Sequence, residues 1–246
     1  MLIMAGAVLG AILGSFLGTL VLRWPAGRSV VFGRSACDAC AAPLPAYRLV
    51  PIVSWAGQRG RARCCGARID PVHPATEIAA ALIGGVCAAL VEDPAQAIAG
   101  AVLGWLLLAL ALLDLRHMWL PDRLVAAVAL AGLAAGVAGL GPALDARLIG
   151  GVAGFLSFWA IRRGYRRLRG RDGMGGGDVK LFGAIGLWLG WRMLPHVLLG
   201  AAAAGLLYAG AVALAGRRMT AGSPVPFGAF LALAAWVSWL WQAAYE

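Results

Sequence analysis

Two aspartates stand at the borders of apolar segments, where an ionised side chain is costly to place. Asp178 opens the apolar run 181–191, and Asp114 closes the charge-free run 94–113. Ionisable residues at hydrophobic depth are candidates for function. Two neighbouring carboxylates cannot both ionise cheaply, so they share one proton. The ionised partner can then deprotonate water while the protonated one polarises a peptide carbonyl. The pair predicts peptide hydrolysis without a metal ion.

Three glycines lie directly before Asp178, and a lysine follows it by two positions. Gly175, Gly176 and Gly177 carry no side chain that would keep another backbone away, so an extended substrate can lie beside the carboxylate. Together with Lys180, these residues are expected near the substrate. The alternative is a glycine-rich loop in which Asp178 is only the N-cap of the next helix.

Other residue types that could do chemistry are poorly placed for it. No G-x-S-x-G stretch occurs, so a serine nucleophile is not supported. None of the three histidines has helical metal-binding spacing with another, and His117 is expected at the surface rather than as a base. Asp122 lies just before the apolar run 124–144, where its predicted role is that of an N-cap.

Four of the five cysteines lie in the link 23–74, which contains no apolar run of membrane length. They form two pairs, Cys37 with Cys40 and Cys64 with Cys65. Four thiolates can hold one tetrahedral zinc ion. The second pair is adjacent, and we expect this adjacency to exclude a regular metal-binding knuckle at that arm. The alternative is a set of unligated cysteines in a small loop domain.

The composition indicates an integral membrane protein. Hydrophobic residues make up 61% of the 246 residues and charged residues 13%, with a mean hydropathy of +0.82. A soluble domain carries about 25% charged residues, and a membrane span needs about 20 apolar residues. We expect an all-α polytopic fold with eight spans, the first retained rather than cleaved as a signal peptide. The expected spans lie within residues 1–22, 78–91, 94–113, 124–144, 148–161, 181–191, 193–216 and 219–245.

The net charge of +10 is distributed as a membrane topology signal rather than as a nucleic-acid surface. With eight spans, the links after the odd-numbered spans hold 19 of the 21 basic residues, and only Arg147 and Arg192 lie elsewhere. Basic residues concentrate on the cytoplasmic side of membrane proteins. The cysteine loop, the arginine-rich segment 162–171 and both aspartates are therefore expected to face the cytoplasm. The partner of these arginines is expected to be anionic lipid and not nucleic acid.

The first span carries a four-residue glycine repeat. Gly6, Gly10, Gly14 and Gly18 fall on one face of a helix. Small residues on one face allow two helices to approach closely in a bilayer. The repeat predicts a tight contact of the first span with another helix and implies no chemistry.

The residues around both aspartates resemble a known peptidase family. Gly175 to Asp178 fit the G-x-G-D pattern of intramembrane aspartic peptidases, and residues 173–180 are similar to the bacterial type IV prepilin peptidases in particular. Asp114 followed by Leu120-Pro121-Asp122 resembles the first aspartate segment of that family. The N-terminal half agrees in order, through residues 14–18, Arg23, Arg34, the cysteine loop and residues 74–77. The resemblance covers about residues 6 to 215.

The resemblance implies a two-step activity at the bacterial inner membrane. Members of the family cleave the short basic leader of prepilins and pseudopilins on the cytoplasmic side, which would make Asp114 and Asp178 the catalytic pair, with no cofactor for proteolysis. Many members also methylate the new N-terminal amine with S-adenosylmethionine, using the region of the cysteine loop. The family's second cysteine pair is C-x-x-C, whereas Ala62 stands here at the partner position of Cys65. Cys64 would have to replace it as a zinc ligand.

The sequence as a whole therefore predicts a membrane-embedded prepilin leader peptidase that also methylates its product. A member with peptidase activity alone, or a protease for other signal-type peptides, is the nearest alternative. An ion-coupled transporter is disfavoured, because both aspartates are expected at one face and no internal repeat is evident. The expected division is an N-terminal region 6–91 containing the loop 23–74, a peptidase core 95–215 and a C-terminal helix 219–246.

Overall fold

The computed structural model describes residues 1–30, 35–216 and 224–245. Arg34 and the expected start of the last span at residue 219 lie outside the described residues. The chain forms two compact units, Met1–Glu92 and Asp93–Glu246. Apart from two isolated backbone bridges, the described residues contain helices and no strand. The predicted all-α class is confirmed.

The N-terminal unit contains two long helices and the cysteine loop between them. Within its described residues the helices are α1 (Leu2–Arg23), the short α2 (Val53–Gly57) and α3 (Val72–Leu90). The second predicted span, residues 78–91, thus begins six residues earlier than its apolar run, because polar residues of the first turns are part of the helix.

The glycine repeat of α1 forms the contact between α1 and α3. A Cβ built on Gly14 would lie 2.6 Å from the Cα of Glu77, and one built on Gly6 would lie 2.5 Å from the carbonyl oxygen of Gly84. Residues early in α1 therefore meet residues late in α3, and the two helices run antiparallel. A methyl group at these positions would force the backbones apart. The predicted tight helix contact is confirmed.

The C-terminal unit is a bundle of helices arranged around one short helix. Its described helices are α4 (Pro94–His117), α5 (Asp122–Val137), α6 (Leu144–Arg169), α7 (Gly176–Leu189), α8 (Leu194–Leu214) and α9 (Phe227–Tyr245). Ten of the 14 residues of α7 are buried, and α7 packs against α5, α6 and α9. The helix that begins beside Asp178 is therefore enclosed by protein.

Glycines also bring α6 and α7 together. A Cβ built on Gly154 would lie 2.8 Å from the carbonyl oxygen of Phe182, and Gly150 meets the backbone of Gly186 in the same way. The close approach lets the ring of Phe158 in α6 stack on that of Phe182, with their centroids 4.1 Å apart. α7 is thus held in place by backbone proximity as well as by side-chain packing.

Eight helices occupy the places of the eight predicted spans, but six of the described helices are long and apolar enough to cross a membrane. The exceptions are α5, with 16 residues, and α7, with 14. A 14-residue helix is roughly 21 Å long, whereas the hydrocarbon core of a bilayer is about 30 Å thick. The protein is a multi-pass membrane protein, and the count of eight spans stays a prediction.

Arg147 is a buried cation at the opposite end of α7 from Asp178. Its guanidinium donates to the carbonyl oxygens of Pro142 at 2.9 Å, Gly132 at 2.8 Å and Leu187 at 3.1 Å, and also to that of Leu140. These carbonyls belong to α5, α7 and the turn before α6. Carbonyl groups toward helix C-termini carry partial negative charge, which suits an arginine. Arg147 therefore ties three segments together.

Candidate active site and cysteine cluster

The two aspartates predicted as a pair are both buried in the C-terminal unit. Asp114 lies in the last turn of α4 and is 6% exposed, while Asp178 is the third residue of α7 and is 8% exposed. His117, one turn beyond Asp114, is exposed, as expected for a surface histidine.

Gly228, near the start of α9, lies between the two carboxyl groups. A Cβ built on Gly228 would lie 3.0 Å from Asp114 Oδ2 and 3.1 Å from Asp178 Oδ1. These two oxygens are thus no farther apart than the sum of the two distances, at the edge of the range of about 4–6 Å in which neighbouring charges strongly influence each other. The structure brings the predicted pair together.

Each carboxylate is also held by the start of a helix. Asp114 Oδ2 accepts a hydrogen bond of 3.0 Å from the backbone N–H of Ala229, the third residue of α9. Asp178 lies beside Gly175, the N-cap of its own helix, because a Cβ built on Gly175 would lie 3.1 Å from Asp178 Oδ2. Free N–H groups at helix starts favour negative charge. The hydrogen bond fixes Asp114 Oδ2, and both carboxylates lie at helix starts, a setting suited to one shared negative charge.

Sequence reasoning missed α9 as part of this site. The available signal was Pro226 and Gly228, which mark a turn followed by a helix start. In the structure, this helix start lies on the same side of the bundle as Asp114. The role of Leu120 at the site was missed as well. A Cβ built on Gly228 would lie 2.7 Å from Leu120 Cδ1, and a Cβ built on Gly177 would lie 2.8 Å from Leu120 Cβ. Leu120 fills the space beside both glycines.

The glycines before Asp178 have defined neighbours. Gly175 is the N-cap of α7, and Gly176 and Gly177 are its first two residues. Beside Gly176 lies the guanidinium of Arg162, with Nη1 3.1 Å from a built Cβ. The alternative in which Asp178 is itself the N-cap is wrong, because the helix begins two residues before it. The expectation that substrate lies along these glycines stays a prediction.

The predicted N-cap role of Asp122 is wrong. The N-cap of α5 is Pro121, and Asp122 is the first helical residue, without a side-chain capping hydrogen bond. Instead, both oxygens of Asp122 accept from Lys180 Nζ at 2.8 Å. A sequence pattern cannot show this pairing, because the partner lies 58 positions away. Lys180, expected near the substrate, thus connects the starts of α5 and α7.

The cysteines of the N-terminal unit converge. The Sγ atoms of Cys37, Cys40, Cys64 and Cys65 all lie within 4.8 Å of one another. Individual separations are 3.5 Å for Cys40–Cys64 and 3.9 Å for both Cys37–Cys65 and Cys64–Cys65. Four thiolates at the usual zinc–sulfur distance of about 2.3 Å form a tetrahedron with edges of about 3.8 Å. The donor set therefore fits a zinc ion.

The two arms of this cluster have the same type of backbone turn. In the first arm, Cys37 N–H donates to Ala42 at 2.9 Å and Ala41 N–H donates back to Cys37 at 2.9 Å. The second arm repeats this pattern: Ala62 N–H donates to the carbonyl oxygen of Ala67, and Gly66 N–H donates back to that of Ala62. The adjacent cysteines therefore do not prevent the backbone turn of a knuckle at this arm, whereas metal binding by the arm stays a prediction. Ala62 stands at the position of Cys37, and the neighbouring Cys64 supplies the fourth sulfur.

The first arm also favours a thiolate. The backbone N–H of Cys40, followed by that of Ala39, stabilises the ionised sulfur of Cys37 and lowers its pKa to about 7. Metal-binding cysteines must be deprotonated. The turn that positions Cys37 therefore also prepares it for metal binding.

Comparison with known proteins places both units in one family. Residues 101–210 match the type IV leader peptidase family, and residues 8–91 match the bacterial N-terminal domain of that peptidase family, the A24 peptidases. A prepilin leader peptidase/N-methyltransferase of Aeromonas salmonicida (strain A449) is 37% identical over 209 residues, covering 85% of this chain and 71% of the relative. The relative of the same name from Pseudomonas aeruginosa (strain PAO1) is 37% identical over 213 residues, covering 87% and 73%.

A third relative of that name, from Burkholderia pseudomallei (strain K96243), is 39% identical over 208 residues, covering 85% of this chain and 67% of the relative. No solved structure matches the chain. Fold and site together define a multi-pass helical membrane protein with a buried carboxylate pair. The chain belongs to the type IV leader peptidase family.

Proposed function

We propose that this protein is a membrane-embedded aspartic endopeptidase that removes the basic leader of type IV prepilins or pseudopilins and then methylates the new N-terminus. The observation that carries the peptidase is the approach of Asp114 and Asp178 to one point beside Gly228. The methyltransferase rests on the shared name of the relatives that span both units. The proposed peptidase core is residues 95–215, followed by the helix 219–246, and the proposed N-terminal region is residues 6–91.

The geometry supports a shared-proton mechanism. Two carboxylates this close hold one proton between them, because ionising both would place two negative charges in a buried site. The ionised group takes a proton from water, whose oxygen attacks the peptide carbonyl, while the protonated group donates a hydrogen bond to the carbonyl oxygen. Collapse of the tetrahedral intermediate breaks the C–N bond, and the proton taken from water is delivered to the leaving amine. The proteolytic step needs no cofactor.

The surroundings of the pair support two further proposed roles. The N–H of Ala229 keeps Asp114 oriented, so Asp178 approaches a fixed partner. Gly175, Gly176, Gly177 and Lys180 border Asp178 on the α7 side and are the proposed substrate-proximal residues. The substrate presents a basic leader and an apolar helix to this border, which is proposed to face the cytoplasm.

The cysteine cluster is proposed to hold zinc, and S-adenosylmethionine is proposed as the methyl donor. Cys37, Cys40, Cys64 and Cys65 would bind the ion as thiolates and supply folding energy to a loop too small for a core of its own. The chemistry of proteolysis lies in the carboxylates, so the zinc role is structural and concerns the N-terminal unit.

One experiment tests the proposed function. The purified full chain in detergent is incubated with S-adenosylmethionine and a peptide that carries a basic leader, a Gly–Phe junction and an apolar helix. Mass spectrometry is expected to show cleavage at the junction and a methyl group on the new phenylalanine amine. An intact peptide after incubation would refute the peptidase, and an unmethylated product would refute the second activity alone.

A further inference from the structure

The N-terminal unit contains a cavity of about 700 Å³ beneath the cysteine loop. Its walls are the second half of α1, the first turns of α3 and the segment 48–58 between the cysteine pairs. Ligand sites usually have volumes of about 300–1,000 Å³. The cavity is lined by apolar and aromatic groups such as Phe16 and Trp55 and by charges of both signs. Its size and lining suit a small charged molecule with an aromatic part.

Two arginines of the cavity wall are already engaged. Arg23 donates to Asp38 at 3.1 and 3.2 Å and to the carbonyl oxygen of Ala36 at 2.7 Å. Arg28 and His73 also lie beside Asp38, at 3.7 and 3.4 Å. Asp38 therefore has two arginines and a histidine as partners, and this group of side chains is internally satisfied.

Arg48 differs from them. Its Nε is shielded from solvent and has no hydrogen-bond partner in the part of the chain that the structure describes. Its guanidinium carbon lies 5.6 Å from the centroid of the Tyr47 ring. A shielded guanidinium nitrogen without a partner is costly, and each such group calls for an explanation. A carboxylate on a ligand would satisfy it.

Glu77 supplies the opposite charge. It is 6% exposed, forms no ion pair with any described residue, and accepts a hydrogen bond of 2.6 Å from the backbone N–H of Ile52. Ile52 has φ +62°, a left-handed conformation that is strained for a β-branched residue. Such strain persists only where surrounding contacts enforce it, and it is concentrated at functional sites. Glu77 therefore fixes the segment that carries Trp55 into the cavity wall.

An acid and a guanidinium in one cavity select for a ligand with both charges. A lipid phosphate would be attracted by the arginines but repelled by the buried carboxylate of Glu77. An amino acid with an additional positive charge satisfies both groups, and a flat heterocycle attached to it can stack on Trp55. S-adenosylmethionine has this combination of a carboxylate, an ammonium group, a sulfonium and an adenine.

We propose that this cavity is the methyl-donor site, in which Arg48 binds the carboxylate of S-adenosylmethionine and Glu77 pairs with its positive charge. The inference rests on the proposed methylation and adds the residues that bind the donor. The cysteine cluster then has a defined purpose, because Cys37 and Asp38 form part of the same wall. Zinc would hold this wall closed around the donor.

Binding of S-adenosylhomocysteine to the purified full chain, measured by isothermal titration calorimetry, tests the site without relying on activity. Arg48→Gln and Glu77→Gln should each weaken binding by at least about tenfold, the loss expected for one charged interaction. Glutamine at position 77 keeps an oxygen acceptor for Ile52. The matched controls are Arg59→Gln and Glu92→Gln, exposed residues outside the cavity lining, which should bind as the wild type does. Leader cleavage should be unchanged in all four variants.

The outcomes separate this inference from the proposed function. If the wild type binds the ligand and methylates, and both cavity variants bind equally well, the donor site lies elsewhere while the proposed function stands. If the wild type cleaves but neither binds nor methylates, the methyltransferase and the donor site both fail and the peptidase remains. Anionic-lipid vesicles are added as a competitor of S-adenosylhomocysteine. If they displace it from the wild type, and Arg48→Gln abolishes their binding, the cavity is a lipid-headgroup site and the proposal is overturned.

A second measurement uses the wild type alone, so it does not depend on variant folding. Ultraviolet crosslinking of S-adenosylmethionine with a radioactive methyl group, followed by peptide mapping, should label the segment that contains Arg48 and Trp55 or the adjoining ends of α1 and α3. Label confined to residues beyond Glu92 would refute the assignment.

Discussion

Asp114 in α4 accepts a hydrogen bond from the backbone N–H of Ala229 in α9, although the two residues are 115 positions apart in sequence. One carboxylate thus belongs to the candidate catalytic pair and also caps a different helix. The two roles need different atoms, because capping requires an acceptor oxygen whereas acid–base chemistry requires an ionisable group. Substitution by asparagine therefore separates them.

The first prediction concerns the pair itself. Asp114→Asn and Asp178→Asn should each lower the rate of leader cleavage by about 10²–10⁴-fold, the usual contribution of acid–base catalysis, with little change in the thermal unfolding midpoint. Asp114→Ala should also lower stability, by about 1 kcal/mol, because the cap is lost. The control is Asp145→Asn, at an exposed position in α6. Normal processing by either pair variant would show that the pair is misassigned.

The second prediction concerns Gly228. In Gly228→Ala the new methyl group would lie 3.0–3.1 Å from both carboxylates and 2.7 Å from Leu120. Alanine is favoured over glycine within a helix by about 1 kcal/mol. A loss of stability or of cleavage activity in this variant would therefore come from the collision and not from helix propensity. Cleavage assayed by mass spectrometry should fall by at least about tenfold. Gly210→Ala, which has no neighbour within 4 Å, should be neutral.

A rescue variant sharpens that test. Leu120 makes the shortest contact with the new methyl group, so adding Leu120→Ala to Gly228→Ala should restore part of the cleavage rate. Full activity in Gly228→Ala alone would mean that the carboxylates do not meet at this point in the working enzyme.

The third prediction distinguishes Asp122 from the pair. Asp122→Asn removes an exposed ion pair with Lys180, which contributes about 0–1 kcal/mol, and should leave most of the cleavage activity. A double-mutant cycle with Lys180→Gln, read as unfolding midpoints, should give a coupling of that size. Loss of cleavage in Asp122→Asn, with normal cleavage in Asp114→Asn, would make Asp122 the partner of Asp178.

The fourth prediction concerns Arg147. Arg147→Met leaves several buried carbonyl groups without a donor, each worth about 1.5–3 kcal/mol when bonded to a charged group. The variant should show a clearly lower unfolding midpoint in detergent, whereas Arg192→Met, at an exposed site, should not. Equal midpoints for the two variants would show that the carbonyls find other donors.

The fifth prediction concerns the cysteine cluster. The purified chain should contain about one equivalent of zinc, and less than about a tenth of an equivalent would remove the site. Cys64→Ser should lower the zinc content, and adding Ala62→Cys should restore it, because Ala62 has the backbone position that Cys37 has in the other arm. Zinc retained in full by Cys64→Ser would exclude Cys64 as a ligand.

Activity should follow the same division. Cys37→Ser with Cys40→Ser should reduce methylation before it affects leader cleavage, because the carboxylate pair belongs to the other unit. Methylation at the normal rate in this double variant would separate the cysteines from the methyl-transfer site.

Elements that depend on local pattern were predictable from the sequence. Apolar runs located the helices, the glycine repeat predicted the α1–α3 contact, and the two aspartates were expected to meet. Other contacts between distant parts of the chain were not predictable. The pairing of Asp122 with Lys180, the cap that Asp114 provides to α9, and the carbonyl cluster around Arg147 each depend on how helices are arranged in space.

The number of spans stays a prediction for a physical reason as well. Apolar runs report burial of any kind, so the enclosed helix α7 has the composition of a span although it has only 14 residues. For the adjacent cysteines Cys64 and Cys65, the spacing of the side chains predicted an irregular arm. The backbone of that arm instead forms the same turn as the first arm. Both features are decided by packing rather than by composition.

The antiparallel contact of α1 and α3 has a consequence for how the cysteine loop evolves and can be engineered. Because Gly18 meets His73, the loop leaves and returns to the membrane helices at nearly the same place. Its ends are joined whatever lies between them, so the entropy of closing the loop depends only weakly on its length. The segment is therefore expected to tolerate moderate changes in length, or exchange with that of a relative, with the helix pair beneath it intact.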